Sequence, residues 1–335
     1  MNIGKLFQEW GVLIAFIAFI IYCLIFQGHV FHNPIVWRNL FSQNADVGII
    51  ALGMTLVIIA GGIDLSVGSM FALSAVGGIS LMNRLMESGN SPATTVAMGM
   101  LAMLGLGALL GAANGLVVTW GRVVPFVATL VGLLVFRSLS LASANGGTVD
   151  AKEIALKESL SKVALDGPTL PFITASNGTP VKIYWSVFIF IGVALVLGYV
   201  LNQTRFGRHI VAVGSNEKAS HYSALPVARI KFWTYTVIGV CVGLAAFIAA
   251  SRLNSVASAN SGQLYELDAI AAVVIGGTAL TGGKGRIWGT FVGILFLGMI
   301  TTVLVAADVS AYWQGVVKGV IILVAVLIQR SKKSA

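Results

Sequence analysis

The spacing of charge along this chain constrains its fold more than any other feature. Stretches free of Lys, Arg, Asp, Glu and His recur at residues 10–28, 47–63, 65–83, 88–121, 123–136 (resuming past Arg137 to about 145), 183–204, 232–251, 269–283, 287–307 and 309–329, the last interrupted by Lys318. One helix needs roughly 20 apolar residues to cross a bilayer, and most of these runs are about that long. Composition agrees: 10% of the 335 residues are charged and 57% hydrophobic, where a soluble domain carries roughly 25% charge. The expected fold is an all-α integral membrane protein of about ten transmembrane helices, forming a single domain over residues 1–335. Residues 88–121 exceed one span, and Ser88-Gly-Asn-Ser-Pro92 reads as a turn. The runs at 47–63 and 269–283 are short for a span. Lys5 precedes the first run, no A-x-A-like site follows it, and Tyr22 is too bulky for lipoprotein processing at Cys23, so this run is expected to be retained.

Loop charge orients the bundle. With ten spans, one side holds Lys5, Arg122, Arg205, Arg208, Lys218, Arg229, Lys231, Lys284, Arg286, Arg330, Lys332 and Lys333. The other holds Arg38, Arg84, Lys152, Lys157, Lys162, Lys182 and Arg252. The positive-inside rule therefore places both termini in the cytoplasm. The same rule accounts for the net charge of +9 without a nucleic-acid partner. Cys23 and Cys241 lie inside apolar runs with no CxxC and no His nearby, and read as small core residues rather than a metal site.

Enzymatic readings lack their residues. Gly62-Ile-Asp-Leu-Ser-Val-Gly68-Ser69 has neither the spacing nor the Lys of a phosphate-binding loop, so any ATP that drives this chain is hydrolysed by another subunit. There is no G-x-S-x-G and no HExxH, and His29, His32, His209 and His221 all fall in expected loops, away from any buried serine. An ion-coupled secondary carrier stays open as the alternative, because such proteins hold ionisable groups in mid-membrane. Asp64, Arg137, Asp268 and Lys318 are the candidates, each near the end of a run or placed for a buried pair.

Three segments carry the functional reading. In Ala60-Gly-Gly-Ile-Asp-Leu-Ser-Val-Gly-Ser69, two glycines and an aspartate interrupt apolar sequence. A lone charge at the bilayer centre costs roughly 2.5–3.5 kcal/mol on insertion scales. Gly61 and Gly62 are expected to end one helix, and Asp64 or Ser66 to cap the next, where the dipole favours an anion. Gly276-Gly-Thr-Ala-Leu-Thr-Gly-Gly283 echoes the pattern Gly61-Gly-Ile-Asp-Leu-Ser-Val-Gly68. Irregular backbone at membrane depth must be buried in protein or face a cavity, so Gly61, Gly62, Asp64, Ser66, Gly68, Gly276, Gly277, Gly282 and Gly283 are expected at gating breaks beside a pathway. The third segment lies in the basic loop 202–231. There Asn216 can cap a short helix with Glu217 in its first turn, and Pro226 follows its end. On the opposite face the polar loop 146–182 contains Ala151–Leu165, with Glu153/Lys157 and Glu158/Lys162 at i,i+4 spacing and a stripe of Leu156, Leu160 and Val163. A surface helix covering the bundle is expected.

The blocks GMTLVIIAGGIDLSVGSMFAL, VPFVATLVGLLVFRSLS, RFGRHIVAVGSNEKAS, YELDAIAAVVIGGTALTGGKGRIWGT and WQGVVKGVIILVAVLIQ resemble the permease subunits of ribose-type ABC sugar importers, over about residues 40–330. The resemblance implies a type II-like importer fold in the bacterial inner membrane. It also implies a second permease chain (a homodimer), a cytoplasmic ATPase carrying the ATP and Mg, and a periplasmic sugar-binding protein. The family's ATPase-coupling segment falls on Asn216, Glu217, Lys218, Ala219, Ser220, His221, Tyr222 and Ser223. Where members often have Ser-Gly-Ile-Asn-Val, this chain has Ser223-Ala-Leu-Pro-Val227. Small, weakly polar residues are expected to line the pathway, namely Thr55, Ser66, Asn114, Thr129 and Thr278. Arg84 and Arg252 are expected at the rim, where charge steers docking of the binding protein.

Overall fold

The structure, a computed structural model, describes residues 3–174 and 179–331. Lys332 and Lys333 of the basic tail, and 175–178 of the outer loop, lie outside the described residues. The elements run α1 (Ile3–Phe26), α2 (Gly28–Phe31), α3 (Pro34–Gln43), α4 (Ala45–Ile59), α5 (Val67–Glu87), α6 (Pro92–Thr119), α7 (Pro125–Ser143), β1 (Thr148–Asp150), α8 (Ile154–Leu165), β2 (Thr169–Thr174) and β3 (Pro180–Lys182). They continue as α9 (Trp185–Gln203), α10 (Arg205–Ser215), α11 (Glu217–Tyr222), α12 (Val227–Leu253), β4 (Ser255–Ala257), α13 (Tyr265–Ile275), α14 (Ile287–Ala306) and α15 (Ala311–Ser331).

Each uncharged run holds a helix, from the 11 residues of α13 to the 28 of α6. Among the described residues, five of these (α6, α7, α9, α12 and α14) are long and apolar enough to cross a membrane, and α3 with α4, bent by 49°, would make a sixth. The turn at 88–92 is real: Pro92 begins α6, and the Ser91 hydroxyl accepts the Thr94 N–H at 3.3 Å. Proline at the first helical position loses no bond, since that N–H has no intrahelical partner.

The short run at 47–63 turns out to be the centre of the molecule. Helix α4 is buried on every side and packs against α9, α12, α13 and α14. A helix apolar all round belongs inside a large bundle, which explains a segment too short to span yet rich in Ile and Leu. Beside it, α6 and α12 approach backbone to backbone. A Cβ on Gly111 would lie 2.9 Å from the Gly239 Cα, and one on Gly243 would lie 2.8 Å from the Leu104 Cα. Lipid removes the hydrophobic drive for helices to associate, so close contact through small residues becomes the main source of attraction.

The segments around α8 and after α12 depart from the all-α expectation. β1 pairs with β4 (Thr148↔Ala257, Asp150↔Ser255) and β2 with β3, both antiparallel. These ribbons pair the backbone polar groups of links that leave the helices. Helix α8 buries Leu156, Leu160 and Ala164 against α6, α9 and α12, so it covers the bundle as expected. Neither Glu153 nor Glu158 closes its i,i+4 pair. The ion pairs here run between elements instead, Lys152–Glu87 at 2.8 Å and Lys182–Asp166 at 2.9 Å. The bond from Lys182 holds the Asp166 carboxyl below its ordinary range.

Candidate functional site

The first helix break is built by hydrogen bonding around one glycine. At the end of α4, Gly61 takes a left-handed φ of 82°, a conformation glycine adopts without steric cost. The Gly61 N–H then reaches Ile58 O (3.0 Å) and the Gly62 N–H reaches Val57 O (2.9 Å). This crossed pair is the glycine helix stop of the Schellman type. Asp64 follows, fully buried. Its Oδ1 accepts the Ser66 N–H at 2.9 Å and the Ser66 hydroxyl at 2.6 Å. Ser66 Oγ in turn accepts from Asn114 Nδ2 at 2.7 Å.

The expected capping role needs correction. Ser66 occupies the cap position of α5 but makes no side-chain cap bond, and Asp64 bonds the residue two ahead of it. That is an Asx-turn, which fixes the link rather than the orphan amides of the next helix. The reason lies in Ser66, which sits at φ −88° and ψ −5°, in the helical rather than the extended region a capping residue takes, and whose Oγ already accepts from Asn114.

The second break uses the same stop, displaced by one residue from the sequence echo. Here Gly277 is left-handed at φ 85°, its N–H reaching Val274 O (2.9 Å) and the Thr278 N–H reaching Val273 O (3.1 Å). The pattern aligns Gly61 with Gly276, whereas the geometry equates Gly61 with Gly277. Downstream, Gly68 lies inside α5 while Gly282 and Gly283 take φ of 83° and 74°. The two segments nevertheless meet: the Gly283 N–H donates to Ile59 O at 2.8 Å.

The short helix α11 forms where expected. Asn216 Oδ1 accepts the Ala219 N–H at 2.9 Å, Tyr222 is 88% exposed, and Glu217 pairs with Lys231 at 2.7 Å. Its end is a second kind of finding. Ala224 sits at φ 57°, its N–H bonded to His221 O and the Leu225 N–H to Ser220 O, both at 3.1 Å. This is the same crossed stop as at Gly61, built here on an alanine. Ser220 is buried against the bundle, whereas Glu217, Lys218, Ala219, His221, Tyr222 and Ser223 are exposed. His29, His209 and His221 fall in short helices, not in loops.

Four of the expected pathway residues, Thr55, Ser66, Asn114 and Thr129, serve as ties between segments, whereas the buried hydroxyl of Thr278 has no hydrogen-bond partner. Thr55 donates to Ala51 O (2.9 Å) and meets Thr290 Oγ1 at 2.7 Å. Thr129 bonds Pro125 O (2.9 Å) and Ile63 O (3.2 Å), and Tyr235, unnoticed in the sequence, donates to the same Ile63 O at 3.4 Å. Thr278 is buried. Two cavities, of about 660 and 230 Å³, lie elsewhere; neither is lined by Thr55, Ser66, Asn114, Thr129 or Thr278.

The charged candidates divide the same way. Arg84 is exposed. Arg252, expected at the rim, is committed internally: Nη2 pairs with buried Asp46 at 2.7 Å, and Nη1 donates to Ser42 O at 3.1 Å. Arg137 donates to Ser258 O (3.0 Å), Ser261 O (2.9 Å) and Gly68 O (3.3 Å). It thereby satisfies irregular backbone ahead of α13, the condition under which such backbone survives at membrane depth. Lys318 lies 3.4 Å from Asp268, which joins two of the ionisable candidates.

Comparison with known proteins places this geometry in context. A family model described as "Branched-chain amino acid transport system / permease component" matches residues 37–326. The ribose import permease protein RbsC of Bacillus subtilis (strain 168) is 40% identical over 309 residues, covering 91% of this chain and 87% of that protein. RbsC of Escherichia coli (strain K12) is 40% identical over 295 residues, covering 88% and 85%. The xylose transport system permease protein XylH of the same strain is 32% identical, covering 88% and 84%. No solved structure matches the chain.

Proposed function

The chain belongs to the family of branched-chain amino acid transport system permease components, and from that premise we propose that it is the membrane-spanning subunit of an ATP-driven monosaccharide importer. Relatives named for ribose and xylose import favour a pentose-sized sugar. In this reading the chain crosses the bacterial inner membrane ten times with both termini cytoplasmic, and pairs with a second copy of itself. A binding protein delivers sugar from the periplasm, with Arg84 at the docking rim. A separate ATPase subunit, holding the ATP and Mg, engages Asn216–Ser223.

The observation that carries the reading is α11: a short capped helix, exposed through Tyr222 and held to the bundle through Ser220 and the Glu217–Lys231 pair. Such an element can accept a push from a motor and transmit it. Motion there shifts the bundle between two packings, the kind of two-state element that coupling requires. Tyr222→Ala removes exposed contact surface without touching the fold. It is expected to weaken capture of the ATPase while membrane insertion stays normal; unchanged sugar-stimulated hydrolysis would refute the assignment. Reconstitution separates the alternative. Purified chain alone in liposomes that takes up sugar down an ion gradient, with no ATPase present, would make it a secondary carrier.

A further inference from the structure

Three chain segments meet at a joint built without side chains, directly upstream of α11. The Gly283 N–H donates to Ile59 O at 2.8 Å, joining the two helix breaks. Gly214, in the last turn of α10, packs its Cα against that bond. A Cβ there would lie 2.7 Å from Gly283 N and 2.8 Å from the Ile59 carbonyl carbon, and would run into Ile59 O. Gly282 is equally confined, since its Cβ would lie 2.8 Å from Gly214 O and 3.2 Å from the Gly61 Cα. A Cβ on Gly283 would lie 2.7 Å from the Ser215 Cα. The next residue, Asn216, caps α11.

From this geometry we infer that Gly214 is a positioning residue for transport: it seats the α10 end on the hydrogen bond between the two breaks, so that displacement of α11 moves both together. The inference deepens the importer reading and rests on it. Side-chain packing could yield by rotamer change, but backbone-to-backbone contact has no such slack. Ser215 Oγ donates to Val211 O at 2.7 Å, adding a further bond across the last turn of the lever. A methyl group at 214 has no void to enter, so it displaces α10 from the joint or breaks the Gly283–Ile59 bond. Either way α11 remains capped by its own Asn216 and presents the same face to the motor.

The test uses the assembled complex (this chain, its ATPase and its binding protein) in proteoliposomes. The readout is sugar accumulated per ATP hydrolysed. Gly214→Ala is expected to lower that ratio at least tenfold while basal hydrolysis and ATPase association stay within twofold of the parent. Gly192→Ala, where a Cβ meets nothing within 4 Å, is the control and should leave the ratio unchanged. A second variant keeps Gly214 intact: Ser215→Cys with Gly283→Cys, in a chain whose Cys23 and Cys241 are alanine. Transport lost while hydrolysis continues, in the oxidised or the reduced form, supports the joint. An unchanged ratio in Gly214→Ala, or normal transport by the oxidised pair, overturns it. Proportional loss of transport and hydrolysis in both variants makes the joint merely structural and also overturns it. Failure of the importer reading would look different, because the parent complex itself would then show no ATP-driven uptake.

Discussion

Removing the guanidinium of Arg252 should destabilise the bundle more than it weakens any docking at the rim. Asp46 is 1% exposed in the first turn of α4, and its Oδ2 lies 2.7 Å from Arg252 Nη2 in the last turn of α12. The anion sits at a helix start and the cation at a helix end, so both dipoles favour the charges. Val47 N–H adds a bond to Oδ1 at 2.9 Å. Arg252→Met keeps the apolar stem but leaves a buried carboxylate without its cation. Breaking a buried pair from one side costs about 3–5 kcal/mol. Arg252 also holds the Ser42 and Gln43 carbonyls at the end of α3. The double variant Asp46→Leu/Arg252→Met therefore recovers only part, leaving about 1–3 kcal/mol from the orphaned carbonyls. Equilibrium unfolding in mixed micelles of these two variants and of Asp46→Leu alone completes the cycle that isolates the pair. Should Arg252→Met unfold within about 0.5 kcal/mol of the parent, the normal range for an uncoupled surface site, while binding-protein association falls, the internal assignment is wrong and the rim role right.

Other sites give sharper local tests. Ala224→Gly should stabilise the end of α11 by about 1 kcal/mol, because a left-handed residue with a Cβ costs roughly 1–2 kcal/mol; slower amide exchange at Ser220–Leu225 reports it, and unchanged exchange counts against the strain. Asp64→Asn retains an oxygen to accept the Ser66 N–H and hydroxyl, so transport should survive it far better than Asp64→Leu. Equal and complete loss in both would show instead that the charge itself is required. Gly239→Val forces α6 and α12 apart and should cost at least the 1–3 kcal/mol typical of overpacking, read as lowered thermal stability in detergent; a neutral result would mean the Gly107–Gly239 contact is not tight.

What the sequence makes legible follows the range of the interactions. Helix in the uncharged runs, the turn at Ser88–Pro92, and the Asn216 cap depend on residues within four of each other, and the structure has each of them. Among the described residues, however, only five or six of the ten expected spans are long and apolar enough to cross a membrane. The breaks are legible for the same reason, since two adjacent glycines after an apolar run announce a helix stop. Which glycine turns is not, because Gly61 takes the left-handed position in one break and Gly277, not Gly276, in the other. The roles of Thr55, Asn114, Thr129 and Arg252 depend on partners 48 to 235 residues away, which no local pattern encodes. One long-range signal was present and unused. Gly107-x-x-x-Gly111-x-x-x-Gly115 faces Gly239-x-x-x-Gly243, the small-residue spacing that brings membrane helices together.

The polar residues around the breaks bear on how a pathway through this bundle can work. Ile63 O receives Thr129 and Tyr235, Ser66 receives Asn114, and Gly68 O receives Arg137. The ties come from three helices, Asn114 on α6, Thr129 and Arg137 on α7 and Tyr235 on α12, and each quiets a backbone or hydroxyl group that would otherwise be stranded in hydrocarbon, at a cost of about 1–3 kcal/mol. Groups committed in this way are poor ligands for a sugar, since binding it would first require breaking a protein bond. They are well suited to a gate, because α6, α7 and α12 all hold the same short link and any shift of that link is felt by all three. On the proposed importer reading, a bundle wired like this would hold sugar weakly and leave the choice of sugar to the protein that delivers it.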